Sequence, residues 1–195
     1  GAADSKGRFW VGTMQNNISP QATDMEIVEN SGSLYCINQD LSFSKLEDNI
    51  GISNTVVWSP DSKKFYFTDT LTGIINSYDC NIEEGSISNK KFFAKHERGF
   101  PDGATVDSDG CLWSCRWQGS CVVRFDPNGK VDDIIELPVE NITSCAFGGS
   151  DLKTLFITTA RWGMSEEQMK QKPQSGGLFA INLNVQGIPD YSFGA

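Results

Sequence analysis

Three polar residues recur at one position of a sequence pattern and could together bind a cation. Asn54, Asp102 and Ser144 each stand seven residues before an aspartate in a turn, and each precedes a short apolar segment. Amide and carboxylate oxygens are hard ligands that suit Ca²⁺, Mg²⁺ or Mn²⁺, with Zn²⁺ also possible. The same spacing could also arise because these residues only cap turns. The candidate metal site therefore depends on the elements that carry it.

Those elements form an internal repeat. Four times, a turn leads into a segment rich in aromatic and β-branched residues, and a second segment of this kind follows. The first segments begin at Phe9, Phe65, Leu112 and Leu155, so the period is 43 to 56 residues. Such a period, with several strands in each unit and no helical periodicity, is typical of β-propeller blades. We predict an all-β chain in which residues 1–195 form one partial propeller domain of about four blades. The only helix-like stretch, 165–171, is expected to be a loop turn.

The first strand of each propeller blade lines the central channel, so residues at its entrance converge from different blades. We therefore expect Asn54, Asp102 and Ser144 to meet at the channel mouth. The first unit begins directly at its turn, which leaves no room for an inner strand before Asp4. This predicts that the chain is the later part of a larger propeller, with a fourth member of the constellation upstream of Gly1.

The composition indicates which classes of partner are excluded and in which cellular compartment the protein is expected. The net charge of −9 argues against nucleic acid and against an anionic membrane, since both require a basic face. No signal peptide and no apolar run of membrane-spanning length is present. The six cysteines include no CxxC pair and are expected to be buried thiols in a reducing compartment, so we predict a cytoplasmic protein.

Other residues that could do chemistry are weaker candidates. His96 is the only histidine, which excludes a multi-histidine metal centre and makes a Ser–His–Asp triad improbable. Trp117 and Trp162 follow strands near a blade end and could wall a pocket, although core or rim packing is the more usual role. Arg161 is expected to form a structural ion pair.

Several stretches resemble one known family and occur in its order along the whole chain. They read GRFWVGTM (7–14), GSLY (32–35), ISN (52–54), WSPD (58–61), PDGA (101–104), VRFDP (123–127), LP (137–138), TSCAFGG (143–149) and GGLF (176–179). The chain resembles the gluconolactonase/regucalcin family, also called senescence marker protein, which includes luciferin-regenerating enzymes. The resemblance implies a six-bladed propeller of which this chain lacks roughly the N-terminal third.

The resemblance also implies a divalent-metal-dependent lactonase. The family holds its metal with a Glu, an Asn and an Asp; the Asn matches Asn54, and the Asp matches Asp102, which is also the proposed acid/base residue. Asn17 aligns with a substrate-binding Glu of the family and keeps a polar group without the charge. The ligating Glu and a substrate-binding Arg and Asn would lie upstream of Gly1. Thr55 stands where a glycine usually follows the metal-binding Asn of the family. This exchange could change the loop that orients the Asn54 side chain.

Two classes of function follow. The first is metal-dependent hydrolysis of sugar lactones, with this chain alone catalytically incomplete because two protein ligands hold a cation weakly. The second is a non-catalytic calcium-binding or regulatory propeller protein. The expected ligands are a divalent metal (Ca²⁺, Zn²⁺, Mg²⁺ or Mn²⁺) and a small lactone. An open arc of blades would also expose apolar sheet faces, which predicts self-association.

Overall fold

The structure, a computed structural model, describes residues 1–21, 23 and 25–194 and consists of four antiparallel sheets in chain order. Blade 1 contains β1 (Ala2–Ala3), β2 (Phe9–Gly12), β3 (Gly32–Ile37) and β4 (Phe43–Ile50). Blade 2 contains β5 (Ser53–Trp58), β6 (Lys64–Asp69), β7 (Ile74–Asn81) and β8 (Ser86–Lys95). Blade 3 contains β9 (Phe100–Val106), β10 (Leu112–Trp117), β11 (Cys121–Phe125) and β12 (Val131–Glu136). Blade 4 contains β13 (Asn141–Gly148), β14 (Thr154–Ala160), the helix α1 (Glu166–Gln171) and β15 (Leu178–Asn182). The predicted propeller architecture is confirmed.

The hydrophobic core lies between neighbouring blades. One cluster joins blades 1 and 2 around Trp10, Trp58 and Phe65, whose rings pack at centroid distances of 4.9 to 5.3 Å. A second cluster joins blades 2 and 3, and a third joins blades 3 and 4. Each strand of a blade sends alternate side chains to such an interface. In the described part of the chain, no core cluster joins blade 4 to blade 1, so the blades form an open arc.

Two local predictions are wrong. An inner strand does precede the first turn, since β1 pairs with β2 in the register Ala2↔Trp10 and Ala3↔Phe9. The stretch expected to be a loop turn contains the short helix α1. A reciprocal capping box between Ser165 and Gln168 satisfies its first backbone N–H groups, which explains how so polar a segment becomes helical.

Buried aspartates fix two of the inner hairpins. In blade 1, Asp4 accepts a 2.8 Å hydrogen bond from Trp10 Nε1 and pairs with Arg8. In blade 3, the equivalent residue is Asp107, which accepts a 2.8 Å bond from Trp113 Nε1. The sequence pattern pointed to Asp109 as the turn residue of this blade, but Asp109 is exposed and the buried position belongs to Asp107.

The segment 186–194 crosses the end of the channel opposite the mouth. It contacts the inner hairpin turns of three blades, because Ser108 N donates to Gln186 O, Gly187 N donates to Leu152 O and Gly194 N donates to Gly7 O. The ring of Phe193 also meets Phe9 edge-on at 6.3 Å.

No helix among the described residues is long and apolar enough to cross a membrane.

Candidate functional site

Asn54 and Asp102 lie near the start of the inner strands β5 and β9, on adjacent blades. Both line a channel cavity of about 390 Å³, and both also line a mouth cavity of about 340 Å³. Ser144 joins them in the channel cavity, and Asn17 joins them in the mouth cavity. The structure thus brings Asn54 and Asp102 together in both cavities, whereas Ser144 lines only the channel cavity and Asn17 only the mouth cavity.

Hydrogen bonds connect the two strands beside these residues. Asn54 Nδ2 donates to Thr70 Oγ1 over 2.9 Å, and Thr70 Oγ1 donates to the carbonyl oxygen of Pro101 over 2.8 Å. The amide nitrogen of Asn54 is therefore anchored, and its Oδ1 is left as the atom available to a ligand. The chain of bonds ends one residue before Asp102, so it couples the positions of the two side chains.

Thr55 keeps the backbone conformation expected of a glycine. Its φ is 54°, at an irregularity in the pairing of β5 with β6. A β-branched residue in this region is strained. The Thr55 hydroxyl also donates to the carbonyl oxygen of Asp102 over 2.8 Å, a bond that glycine could not make. Thr55 thus takes a left-handed backbone conformation at this irregularity and forms a second link between blades 2 and 3.

The carboxyl group of Asp102 is a strong acceptor without a described side-chain partner. No described side chain donates a hydrogen bond to it or forms an ion pair with it. Burial raises the pKa of Asp102 to about 6, although the backbone N–H of Gly103 acts in the opposite direction. A carboxylate held in this way is available both to a cation and to a proton near neutral pH.

The two side chains fit part of a hard-cation site. Asn54 Oδ1 and the Asp102 carboxylate supply oxygen donors of the type preferred by Ca²⁺, Mg²⁺ or Mn²⁺. A group of three or more His, Cys, Asp or Glu side chains that could hold a metal does not occur among the described residues. The described residues therefore place two oxygen-donor side chains at this position, Asn54 and Asp102, rather than a larger acidic cluster.

The remaining wall of the mouth cavity comes from blades 3 and 4. Trp117 and Trp162, for which packing was the more usual expectation, both line this cavity. Asn141 also lines it and begins the N-x-T motif at 141–143, the sequence pattern of a glycosylation site. Asn141 is only 4% exposed, so it is not an accessible glycosylation acceptor. Only its place at the start of an inner strand could have marked it as a site residue.

Two other candidate residues have structural contacts. Arg161 donates to the carbonyl oxygens of Ser175 and Pro173, and the ion pair expected for it is not found among the described residues. His96 is half-buried; its Nδ1 accepts a hydrogen bond from the backbone of Arg98, and its carbonyl oxygen accepts one from Arg116. Burial and the neighbouring arginines lower the pKa of His96. All six cysteines are free thiols, five of them buried.

Comparison with known proteins identifies the family. The SMP-30/gluconolactonase/LRE-like region matches residues 1–161. Regucalcin of Oryctolagus cuniculus is 37% identical over 99% of this chain, which spans 64% of the length of that relative. A calcium-binding protein, regucalcin of Agrobacterium tumefaciens, superposes with a TM-score of 0.88 at 26% identity, over 98% of this chain and 63% of the other. A luciferin-regenerating enzyme superposes with a TM-score of 0.86 at 30% identity, over 98% and 63% of the two chains. The chain belongs to the SMP-30/gluconolactonase/LRE-like family.

Proposed function

We propose that this chain carries part of the active site of a divalent-metal-dependent hydrolase of sugar lactones. The observation that carries the proposal is the placement of Asn54 and Asp102 on adjacent inner strands, facing one cavity and coupled through Thr70. Membership of a family that includes gluconolactonases gives the reaction class.

Asn54 Oδ1 and the Asp102 carboxylate would hold the cation. A divalent metal bound there supplies Lewis-acid polarisation of the lactone carbonyl and lowers the pKa of a coordinated water. Thr70 orients the Asn54 amide so that its oxygen, and not its nitrogen, faces the ligand.

Asp102 would act as the general base and acid. Its carboxylate orients the attacking water, takes up the proton that this water loses and returns it to the ring oxygen that leaves the acyl carbon. A catalytic carboxyl works best when its pKa is close to the working pH. Burial raises the pKa of Asp102, and a bound cation would act in the opposite direction. Asn17 would contact the substrate from the loop that borders the same cavity.

Two protein oxygen donors hold a hard cation weakly, because Ca²⁺ takes about six to eight oxygens. We expect the 195-residue chain alone to bind metal weakly and to turn over slowly. The alternative function is a non-catalytic calcium-binding propeller protein, which is favoured by the calcium-binding description of the Agrobacterium neighbour. Within this proposal the protein is cytoplasmic, consistent with its six unpaired cysteines.

The two functions differ in what metal does for turnover. Hydrolysis of glucono-δ-lactone is followed with the 195-residue chain in EDTA and with millimolar Ca²⁺, Mn²⁺ or Zn²⁺. The lactonase proposal expects a rate above the buffer rate that needs metal and is lost in Asp102→Ala. Calcium binding without any metal-dependent hydrolysis would instead support the non-catalytic alternative.

A further inference from the structure

The proposed chemistry leaves one wall of the mouth cavity without a role. Indole and amide side chains from blades 3 and 4 form it, away from Asn54: Trp117, Gln118, Asn141, Trp162 and Gln168. Both tryptophans are half-buried, and both line the cavity. Indole faces pack against the C–H faces of a ring, and amides exchange hydrogen bonds with hydroxyl groups.

Asn141 has an acceptor that lacks a donor. Its Nδ2 donates to the carbonyl oxygen of Trp162 over 2.9 Å, which fixes the plane of the amide. Its Oδ1 is buried and accepts no hydrogen bond from any described group. A buried acceptor left unpaired is destabilising, so this wall is suited to a ligand that brings an O–H or N–H donor.

The loop that carries Trp162 is tied into the fold. Arg161 Nε donates to Ser175 O over 2.6 Å, and Lys172 Nζ pairs with Glu140 Oε1 at 2.6 Å. The capping box of α1 holds Gln168 through its Oε1, which leaves the Nε2 donor of that side chain available. These contacts position the loop that carries Trp162 before a ligand arrives.

The charge of the cavity limits the ligand further. Among the described residues that line it, the only charged side chains are Asp102 and Glu140, and none is basic. A phosphate or carboxylate on the ligand would therefore find no basic side chain among these lining residues and would face Asp102, and Lys172 beside the wall is already paired with Glu140. A neutral ring with several hydroxyl groups suits the wall best.

We infer that Trp117, Asn141 and Trp162 form a subsite that reads the hydroxylated face of a neutral lactone ring and so sets substrate specificity. This inference rests on the proposed lactonase function and deepens it. The indoles cover the apolar face of the ring, and Asn141 Oδ1 accepts a hydrogen bond from a ring hydroxyl once the wall adjusts around it. The three residues act on recognition, whereas Asp102 acts on the reacting atoms.

The test uses two lactams that resist hydrolysis, gluconolactam and δ-valerolactam, which share a six-membered ring and differ in their hydroxyl groups. Affinities for the 195-residue chain are measured by ligand-observed NMR in EDTA. Wild-type protein should prefer gluconolactam by at least about tenfold, since a site built for hydroxyls rejects the ring without them. Trp162→Ala and Asn141→Leu should each reduce that preference to within about threefold, and Trp162→Phe should retain most of it.

Matched controls separate this inference from the proposed function. Phe92→Ala removes an exposed aromatic ring on β8, far from the cavity, and should leave the preference unchanged. Asp102→Asn should abolish hydrolysis but keep the preference between the lactams. Equal binding of both lactams by wild-type protein would overturn the inference. So would an unchanged preference in Trp162→Ala when its near-ultraviolet circular dichroism shows a folded protein, even if Asn141→Leu fails to fold.

Discussion

The protonation state of Asp102, the buried carboxyl group of the candidate site, affects the free energy of unfolding. Burial raises its pKa to about 6, so the folded protein binds this proton more tightly than the unfolded chain. Stability from this group is present at low pH and is lost as the pH rises from about 4 to about 6. In EDTA, Asp102→Asn should therefore be more stable than wild type at pH 7.5 by about 1–2 kcal/mol, and the difference should shrink at pH 4.5. Urea unfolding at the two pH values measures this, and a pH-independent difference would contradict it.

The hydroxyl group of Thr70 allows a test of how Asn54 is positioned. It holds the amide of Asn54 and bridges to the backbone beside Asp102. Removing the hydroxyl with Thr70→Val should weaken Ca²⁺ binding by about tenfold, because partners that orient a metal ligand typically contribute 10- to 100-fold in affinity. Thr72→Val removes a nearby hydroxyl that bonds only to its own turn and serves as the control. Calcium titration by calorimetry should separate the two variants; equal affinities would show that Thr70 does not position Asn54.

The sequence identified some residues of the candidate site but not others. Asn54 and Asp102 could be found because a repeat places equivalent residues at one register, whatever the details of packing. The role of Thr70 could not be found, since its contacts cross to Pro101 on another blade. Asn141 was hidden as well, because an N-x-T motif says nothing about burial.

At the scale of elements, Asp107 holds the inner hairpin of blade 3 to the next strand. It accepts hydrogen bonds from Trp113 on β10 and from Arg124 on β11, and it is fully buried. Asp107→Ala should destabilise the protein by about 3–5 kcal/mol, because Trp113 Nε1 would lose its buried acceptor and Arg124, still paired with Asp132, would lose its fully buried partner. Asp109→Ala removes an exposed carboxylate that also contacts Arg124, and should cost less than about 1 kcal/mol. Denaturant midpoints compare the two, and similar losses would refute the special role of Asp107.

The period of strands was predictable, whereas the ends of elements were not. Strand segments alternate in a way that sequence reveals, and all four blades follow from it. The helix α1 has only six residues and depends on the pairing of Ser165 with Gln168 rather than on an apolar stripe. The inner strand β1 is only two residues long and is defined by its pairing with β2.

At the scale of the whole molecule, the open arc exposes two sheet faces. On blade 1, Phe43 is 70% exposed; on blade 4, Leu178 is 67% exposed beside Phe156. We expect the chain to self-associate through these faces, since contiguous apolar surface favours burial against another copy. Sedimentation velocity at micromolar concentrations should show dimers or larger species, and Leu178→Lys should shift the distribution towards monomer. Leu41→Lys alters an exposed leucine in the β3–β4 turn and should have no effect. A folded wild-type monomer would contradict the expectation.

The path of the segment 186–194 lay beyond sequence reasoning. Its hydrogen bonds reach Gly7, Ser108 and Leu152, which lie in three different blades. Such long-range contacts leave no periodic pattern in the local sequence. The arc of blades could therefore be predicted, but the segment that crosses it could not.

We propose that Asp102 acts in metal-dependent lactone hydrolysis at the mouth of this arc. The most direct test compares wild type with Asp102→Ala for the hydrolysis of glucono-δ-lactone at pH 7.5, with millimolar metal and with EDTA. The proposal predicts a metal-dependent rate in wild type that falls to the buffer rate in the variant. Equal rates with and without the Asp102 carboxylate would contradict it.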